Sequence, residues 1–285
     1  MKKIIILLIF LLFSFAGNSQ TKKLLGTCSV NNLKQEPFSG WYTSGLNEYQ
    51  PNTEVLGQLR KQNLNKITFK VFFGSWCGDS KRELPRMSKI FNELSVPEKN
   101  IQWIALDDSI TFYKQSPQHE EKGLSIFRVP TFIVYEKNVE IGRIVEFPVE
   151  TLERDLLKIL NHQPYESNYK SFPVISSCLN KGILNDVNIS ARGLAEQLHS
   201  KVIHEGELNA CGYVLLAQGK TQEAIAVFRI NVNLFPSSAN CFDSLGEAYA
   251  TIGQKEKSIQ AYERAQALDP KNENVKMQLM KLKGG

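Results

Sequence analysis

The 285-residue sequence lacks any Cys-x-x-Cys pair, although it contains five cysteines: Cys28, Cys77, Cys178, Cys211 and Cys241. Its four histidines are scattered, so the common zinc-binding spacings are absent. We therefore expect no metal ion and no cofactor. An odd number of cysteines also leaves at least one thiol without an intramolecular disulfide partner.

A strong charge imbalance is missing as well. The chain has 34 Lys and Arg residues against 29 Asp and Glu residues, which gives a formal net charge of +5. No dense run of basic residues interleaved with aromatics occurs, and such runs are the usual footprint of nucleic-acid binding. We therefore expect no nucleic-acid partner.

Long apolar runs are also scarce, and the only one lies at the N-terminus. The run from Ile4 to Phe15 follows two lysines and precedes three small residues, Ala16, Gly17 and Ser19. This order is typical of a secretory signal peptide, and the run is short for a bilayer span of about 20 residues. We predict that residues 1–19 are a signal peptide. The mature chain is then exported, without a membrane span, to the periplasm or the extracellular space.

The central part of the sequence places Cys77 between a strand pattern and a helix pattern. Residues 67–73 read ITFKVFF, a β-branched and aromatic run that predicts a buried strand. After Cys77, apolar residues recur at helical spacing: Leu84, Met87, Ile90, Phe91 and Leu94. A thiol at a helix N-terminus faces unpaired N–H groups and the positive end of the helix dipole, which favour the thiolate. Asp79 opposes this effect, and Lys81 and Arg82 assist it.

Further strand and helix patterns follow along the chain. Residues 101–106 predict a second strand, and the polar stretch that follows, up to about Ser125, is expected to be helical. Residues 131–135 and 141–145 predict a hairpin around a short polar turn. Residues 149–160 predict a closing amphipathic helix whose buried positions are Leu152, Leu156, Ile159 and Leu160.

Two motifs in this arrangement are similar to those of exported thioredoxin-like proteins. One is Trp76-Cys77-Gly78-Asp79-Ser80 at a strand-to-helix junction, and the other is Val129-Pro130-Thr131 at the start of a later strand. The segment 45–162 thus resembles a thioredoxin-like α/β domain. The resemblance implies that Cys77 and Ser80 occupy the catalytic positions. It also implies a cis peptide bond before Pro130 and substrate contacts from five residues: Trp76, Gly78, Asp79, Val129 and Pro130.

Two positions depart from that family's pattern. Ser80 stands where the second, resolving cysteine is expected, and Val71 stands where thioredoxins often carry a buried acid for proton transfer. Attack on a disulfide needs only one thiolate, whereas release of the mixed disulfide needs a second nucleophile. We therefore expect single-thiol exchange with protein or peptide thiols and disulfides. A remote resolving thiol, Cys28 or Cys178, remains an open alternative.

From about Glu205 the sequence repeats with a period of 34 residues. Gly212, Gly219, Ala224, Phe228 and Pro236 correspond to Gly246, Gly253, Ser258, Tyr262 and Pro270. This pattern resembles tetratricopeptide repeats, in which small residues let two helices approach and aromatics fill the space between them. We predict an all-α repeat domain over residues 190–283 that binds a protein partner. Cys211 and Cys241 fall at packing positions and are expected to be small core residues.

The remaining segments have weaker patterns. Residues 20–44 form an N-terminal segment that is predicted to add an edge strand, and residues 163–189 are predicted to be a linker with some local order.

Two functions fit the whole chain. Trp76, Cys77 and Pro130 favour thiol-disulfide exchange, with the repeats holding a partner. Ser80 and Val71 favour a non-catalytic peptide-binding adaptor with a vestigial redox site.

Overall fold

The computed structural model of the chain describes residues 22–284, with the exception of Val187 and Ile189. The predicted signal peptide, residues 1–19, lies outside the described residues. The N-terminal half of the described chain is a mixed α/β unit built on one sheet, and the C-terminal half is helical. Among the described residues, no helix combines the length and the apolar composition that crossing a bilayer requires.

Five strands form the sheet in the order β1-β3-β2-β4-β5. Their bounds are β1 Gly26–Cys28, β2 Ile67–Phe73, β3 Ile101–Ala105, β4 Thr131–Glu136 and β5 Val139–Val145. Strands β2 and β3 are parallel, and the other three pairings are antiparallel. The predicted edge strand is confirmed, because β1 pairs with β3 and places Cys28 opposite Trp103.

Twelve helices occur in the described residues. The helices of the α/β half are α1 Val30–Leu33, α2 Ser39–Glu48, α3 Thr53–Leu59, α4 Gly78–Glu93 and α5 Leu152–Leu160. The C-terminal half contains α6 Phe172–Asn180, α7 Ala191–Leu198, α8 Gly206–Ala217, α9 Thr221–Leu234, α10 Ala239–Thr251, α11 Lys255–Leu268 and α12 Glu273–Gly284. Short 3-10 helices lie at Leu64–Lys66, Glu98–Asn100 and Ile183–Asn185.

The two faces of the sheet are covered in different ways. Side chains alternate along a strand, so Phe69, Val71 and Phe73 of β2 face one side and Phe72 faces the other. The first set joins a large buried cluster with the apolar residues of α4 and α5. Phe72 instead packs with Ile104 and with residues of the chain between β3 and β4. This irregular segment, not a helix, covers the face nearest Cys77.

The expectation of a helix up to Ser125 was wrong. The chain from Asp107 to Ser125 forms turns without a helix. Lys114, His119 and Ser125 have φ values of 53°, 57° and 54°, in the left-handed region that an α-helix cannot contain. Tertiary packing therefore overrides the local helical preference here. We call the segment from Asp107 to Arg128 the covering loop.

The hairpin that the sequence predicted is present in β4 and β5. Lys137 and Asn138 connect the two strands and have positive φ values of 50° and 67°. Positive φ at both central residues is typical of a two-residue hairpin turn that matches the twist of the strands. The hairpin brings Glu146, directly after β5, beside Pro130, which precedes β4: the Glu146 N–H donates to the Pro130 carbonyl at 2.7 Å.

Two helical hairpins, α8–α9 and α10–α11, follow one another with the predicted 34-residue offset, since α9 begins at Thr221 and α11 at Lys255. A β-carbon on Gly212 would lie 2.4 Å from the ring of Phe228, and one on Gly246 would lie 2.9 Å from the ring of Tyr262. The absence of a side chain at each glycine therefore allows the aromatic ring to pack between the helices.

The two halves of the chain share one apolar cluster. Phe127 of the covering loop and Val145 of β5 pack in the same cluster as buried residues of α6 to α9. Residues 163–189, the predicted linker, contain α6, whose Phe172 and Ile175 are buried in this cluster. Hydrogen bonds cross the same boundary: Gln115 Nε2 donates to the Ala217 carbonyl at 2.8 Å. The helical half therefore packs directly against the covering loop.

Candidate functional site

Cys77 lies where the chain leaves β2 and enters α4. It is the N-cap residue of α4, and its N–H donates to the Gly74 carbonyl at 3.0 Å. Its side chain is half-buried, and Sγ donates to the Val129 carbonyl at 3.3 Å. The fold thereby joins two predicted site residues that are far apart in the sequence. The Cys77 side chain makes no capping hydrogen bond to the first turn of α4, whose N–H groups have no partner within the helix.

The segment opposite Cys77 is fixed by bonds on both sides of Pro130. The Val129–Pro130 peptide bond is cis. The Thr131 hydroxyl donates to the Arg128 carbonyl at 2.7 Å, which closes a tight turn around this bond. The Val129 side chain is buried, while its carbonyl oxygen faces the Cys77 sulfur.

Trp76 is held against the covering loop. Its indole Nε1 donates to the Leu106 carbonyl at 2.9 Å, and its ring centroid lies 6.5 Å from that of Tyr113. The indole also covers Gly74, where a β-carbon would lie only 2.6 Å from it. A side chain at position 74 would therefore displace Trp76.

The other residues of the predicted motif have distinct surroundings. Ser80 is fully buried, and its hydroxyl accepts a hydrogen bond from the Gly74 N–H at 3.1 Å. Asp79 is partly exposed and pairs with Arg82 at 2.8 Å. A β-carbon at Gly78 would meet nothing within 4 Å, so open space lies beside the first turn of α4. Ser80 therefore has a structural bond, and the approach to Cys77 lies on the side of Gly78 and Trp76.

The four other thiols lie in less reactive surroundings. Burial raises the pKa of the Cys28 thiol to about 12, and it also raises that of Cys178. Burial likewise raises the pKa of Cys241 to about 12 and that of Cys211 well above its ordinary value. These thiols are protonated at neutral pH, and a protonated thiol is a poor nucleophile. Cys28 and Cys178 also pack in apolar clusters other than the one that contacts Cys77.

Buried charges near Cys77 were missed by the sequence reasoning. Lys114 of the covering loop is only 3% exposed, and its Nζ donates to the Tyr113 hydroxyl at 2.8 Å. Burial, assisted by the positive charge of Arg128, lowers the pKa of Lys114 to about 7, although the charges of Cys77 and Glu146 act in the opposite direction. No periodicity marks a lysine in an irregular loop as buried, so the sequence offered no signal for it.

Arg128 and Glu146 form a second charged pair at the boundary with the helical half. Arg128 Nη1 lies 3.2 Å from Glu146 Oε1, and its Nη2 donates to the Gly206 carbonyl at 2.7 Å. Burial raises the pKa of Glu146, and the charge of Arg128 limits that rise. Because Arg128 directly precedes Val129, this pair connects the first residues of α8 to the segment that faces the Cys77 sulfur.

A cleft of about 850 Å³ opens beside Trp76. Its apolar wall comes from three residues of the N-terminal segment and from the indole itself: Pro37, Phe38, Trp41 and Trp76. Lys81 and Lys22 also line it, while Lys23 is already paired with Asp107 and Asp108. The cleft presents an aromatic surface beside Trp76, the residue before Cys77.

Comparison with known proteins identifies one segment. Residues 239–272, which contain α10 and α11, match the tetratricopeptide repeat family. This match confirms the predicted repeat in that segment and supports a protein-interaction domain in the helical half. No curated protein matches the chain. Within residues 22–284, apart from the two positions omitted above, no group of three His, Cys, Asp or Glu side chains could hold a metal ion.

Proposed function

We propose that residues 45–162 form a thioredoxin-like domain in which Cys77 is the single nucleophile of thiol-disulfide exchange. The observation that carries this proposal is the position of the Cys77 sulfur. It is half-buried at the N-cap of α4 and lies 3.3 Å from the Val129 carbonyl. Helix N-termini favour thiolates. The raised pKa values of the four other thiols leave Cys77 as the thiol best placed to react.

The proposed substrates are disulfides of proteins or peptides. The Cys77 thiolate attacks one substrate sulfur, a new S–S bond forms, and the second substrate sulfur leaves as a thiolate. The backbone at Val129 and the surfaces of Trp76, Gly78 and Asp79 would hold the extended substrate chain beside the sulfur. Because Ser80 carries no thiol and is buried, the mixed disulfide should persist until an external thiol attacks it.

In this proposal the helical half recruits the protein that presents the disulfide. Tetratricopeptide repeats bind protein segments on the surface of stacked helices, and the match at residues 239–272 supports that role here. The signal-peptide pattern of residues 1–19 supports export to the periplasm or the extracellular space, where disulfide substrates are common. The repeat domain would span residues 190–283, with residues 163–189 joining it to the redox domain.

The proposal is tested by trapping the intermediate. The mature chain, beginning at Gln20, is treated with a peptide that contains one disulfide, and the products are separated without reductant. We expect a long-lived mixed disulfide in the wild type and in Cys28→Ala and Cys178→Ala variants. Cys77→Ala should form none. An undiminished adduct on Cys77→Ala would assign the reactive thiol to another residue and would overturn the proposal.

A non-catalytic adaptor is the second candidate, and one contact favours it. The Cys77 thiol donates a hydrogen bond to the Val129 carbonyl, an arrangement of the neutral thiol, and Ser80 is fixed by the Gly74 N–H. An adaptor would bind peptides beside Trp76 without covalent chemistry. In that case Cys77→Ala should bind a disulfide-free peptide as tightly as the wild type, and neither protein should form an adduct with the disulfide peptide.

A further inference from the structure

Lys114 and Tyr113 are neighbours whose side chains meet beside the proposed nucleophile. We propose that they form a proton-donating pair for the sulfur that leaves when Cys77 attacks a disulfide, a role that rests on the proposed function of Cys77. Lys114 supplies the proton, and the Tyr113 hydroxyl passes it on. Both residues belong to the covering loop, which sequence reasoning left without a role.

The geometry places the pair at the site. The Tyr113 ring lies against that of Trp76, the residue before Cys77, with 6.5 Å between the ring centroids. The Tyr113 hydroxyl accepts a hydrogen bond from Lys114 Nζ at 2.8 Å. Its own hydrogen is therefore free to be donated elsewhere, because a phenol can accept and donate at the same time. Tyr113 is half-buried, whereas Lys114 is fully buried.

The covering loop holds Lys114 rigidly. Its backbone N–H donates to the Asp107 carbonyl at 2.8 Å, and the Asp107 N–H donates to the Gln115 carbonyl at 2.9 Å. Gln115 in turn donates to Ala217 at the C-terminal end of α8. The helical half therefore seals the inner side of the loop and keeps water away from the ammonium group.

The charges around the pair tune it for proton donation. Lys114 faces one charged or titratable group from each neighbouring element: Cys77 of α4, Arg128 of the covering loop, Glu146 after β5 and Cys211 of α8. Tyr113 is influenced by three of these groups and by Asp108. Burial lowers the pKa of Lys114 to about 7, below the value of about 8.5 for a free thiol. Transfer of its proton to a departing thiolate is therefore energetically favourable. An acid whose pKa is near the pH of the reaction is an efficient proton donor.

The step balances in atoms and electrons. The Cys77 thiolate forms a bond with one sulfur of the substrate disulfide, and the bond between the two substrate sulfurs breaks. The Cys77 sulfur is oxidised, and the departing sulfur is reduced and carries the electron pair. That sulfur takes the hydroxyl proton of Tyr113, while Tyr113 takes a proton from the Lys114 ammonium. Lys114 becomes a neutral amine, and solvent later returns its proton through the Tyr113 hydroxyl.

The experiment compares two reactions of the same thiol. Exchange with oxidised glutathione releases a thiolate that benefits from a proton, whereas alkylation by iodoacetamide releases iodide, which needs none. We expect Lys114→Met and Tyr113→Phe to lower the ratio of the exchange rate to the alkylation rate by about tenfold at pH 6.5. Dividing by the alkylation rate removes any effect of the variants on the thiolate population. Tyr113→Phe keeps the ring against Trp76.

The pH profile gives a second readout. In the wild type the ratio should fall as pH rises through 7, because Lys114 loses its proton there, and in Lys114→Met the ratio should stay flat. Lys122→Met, which removes an exposed lysine from the same loop, should match the wild type. A ratio in Lys114→Met equal to that of the wild type at every pH would overturn the proposal.

The outcome is separable from that of the proposed function. If no variant, including the wild type, forms an adduct with glutathione, the function proposed for Cys77 fails. If the wild type forms the adduct and Lys114→Met slows exchange and alkylation equally, Cys77 is the nucleophile and the proton-donating role of the pair is wrong. Circular dichroism and urea unfolding of each variant confirm that the folded protein is being compared.

Discussion

At the scale of single residues, Ser80 has a structural role at the position where the thioredoxin-like resemblance leads one to expect a second thiol. The serine hydroxyl is fully buried and accepts the Gly74 N–H six residues earlier in the chain. This bond ties the first turn of α4 to the strand end that carries Trp76 and Cys77. The hydroxyl thus satisfies a buried backbone donor, which would otherwise cost about 1–3 kcal/mol. In the proposed exchange, Ser80 would stabilise the motif without supplying a thiol.

Ser80→Cys should convert trapping into turnover. Residues three apart in a helical turn are neighbours, so the new thiol lies within reach of Cys77 and can release the mixed disulfide. We expect insulin reduction driven by dithiothreitol to rise about tenfold or more, with stability lowered by about 1 kcal/mol through the weakened bond to Gly74. Ser80→Ala should lose about 1–3 kcal/mol, because it removes the acceptor of the Gly74 N–H, without gaining activity. Unchanged turnover in a folded Ser80→Cys protein would contradict this account of Ser80.

The burial of Lys114 predicts a pH-dependent stability. Its folded-state pKa of about 7 lies below the ordinary 10.5, so the unfolded chain binds more protons between these values and stability rises with pH across that interval. The full cost of burying the ammonium is present below pH 7. Lys114→Met should therefore be more stable than the wild type by about 2–4 kcal/mol at pH 6. Urea unfolding should show this difference shrinking toward pH 10, and a constant difference would contradict it.

At the scale of secondary-structure elements, the two helices of each hairpin, α8–α9 and α10–α11, pack where an aromatic ring of the second helix lies against a glycine of the first. Gly212→Ala would place a methyl group 2.4 Å from Phe228, and Gly246→Ala would place one 2.9 Å from Tyr262. Overpacking of this kind typically costs about 1–3 kcal/mol. We expect thermal unfolding to show such a loss in both variants, with the larger loss in Gly212→Ala.

The matched control for these substitutions is Gly57→Ala. Gly57 lies inside α3, and a β-carbon there would meet nothing within 4 Å. Alanine is the better helix former by about 1 kcal/mol, so this variant should be as stable as the wild type or more so. Equal changes in thermal stability for Gly57→Ala and Gly212→Ala would show that the contact with Phe228 does not limit how closely α8 and α9 pack.

The elements also show what the sequence could and could not predict. Strand β2, helix α4 and the β4–β5 hairpin follow from local patterns, because a buried strand, an amphipathic helix and a two-residue turn each leave a periodic trace. The covering loop leaves none. Its path depends on residues with left-handed backbone dihedrals, such as Lys114, and on packing against α8, which lies far away in the sequence. The proximity of Cys77 to Val129 was expected from motifs, whereas the burial of Lys114 required the tertiary structure.

At the scale of the whole molecule, the helical half completes the core of the α/β half. Phe127 and Val145 bury their side chains against it, and Arg128 donates to the Gly206 carbonyl. A second polar contact is buried in the helical half, where the Glu207 carboxylate of α8 accepts from the Ser171 N–H at 3.0 Å. The contacts of Phe127, Val145 and Arg128 join the helical half to the segment that faces Cys77.

A chain ending at His162 should therefore be less stable than the full chain. It would expose Phe127 and Val145 and leave Arg128 without its bond to Gly206. Exposing these two apolar side chains to water should lower the free energy of unfolding by about 3–6 kcal/mol. We expect a lower unfolding midpoint in urea or aggregation of the shortened chain. Limited proteolysis of the full chain gives a second view, since rapid cleavage within residues 163–189 into two resistant fragments would contradict this dependence.

The most direct test of Cys77 as the reactive thiol is to identify which cysteine first forms a mixed disulfide with an oxidant. The mature, folded chain is given less than one equivalent of oxidised glutathione at pH 7, quenched with acid, digested and analysed by mass spectrometry for glutathione on each of the five cysteines. We expect nearly all of the adduct on Cys77, because burial raises the pKa of the other four thiols. Adduct spread evenly over the five cysteines, or concentrated on one of the other four, would contradict it.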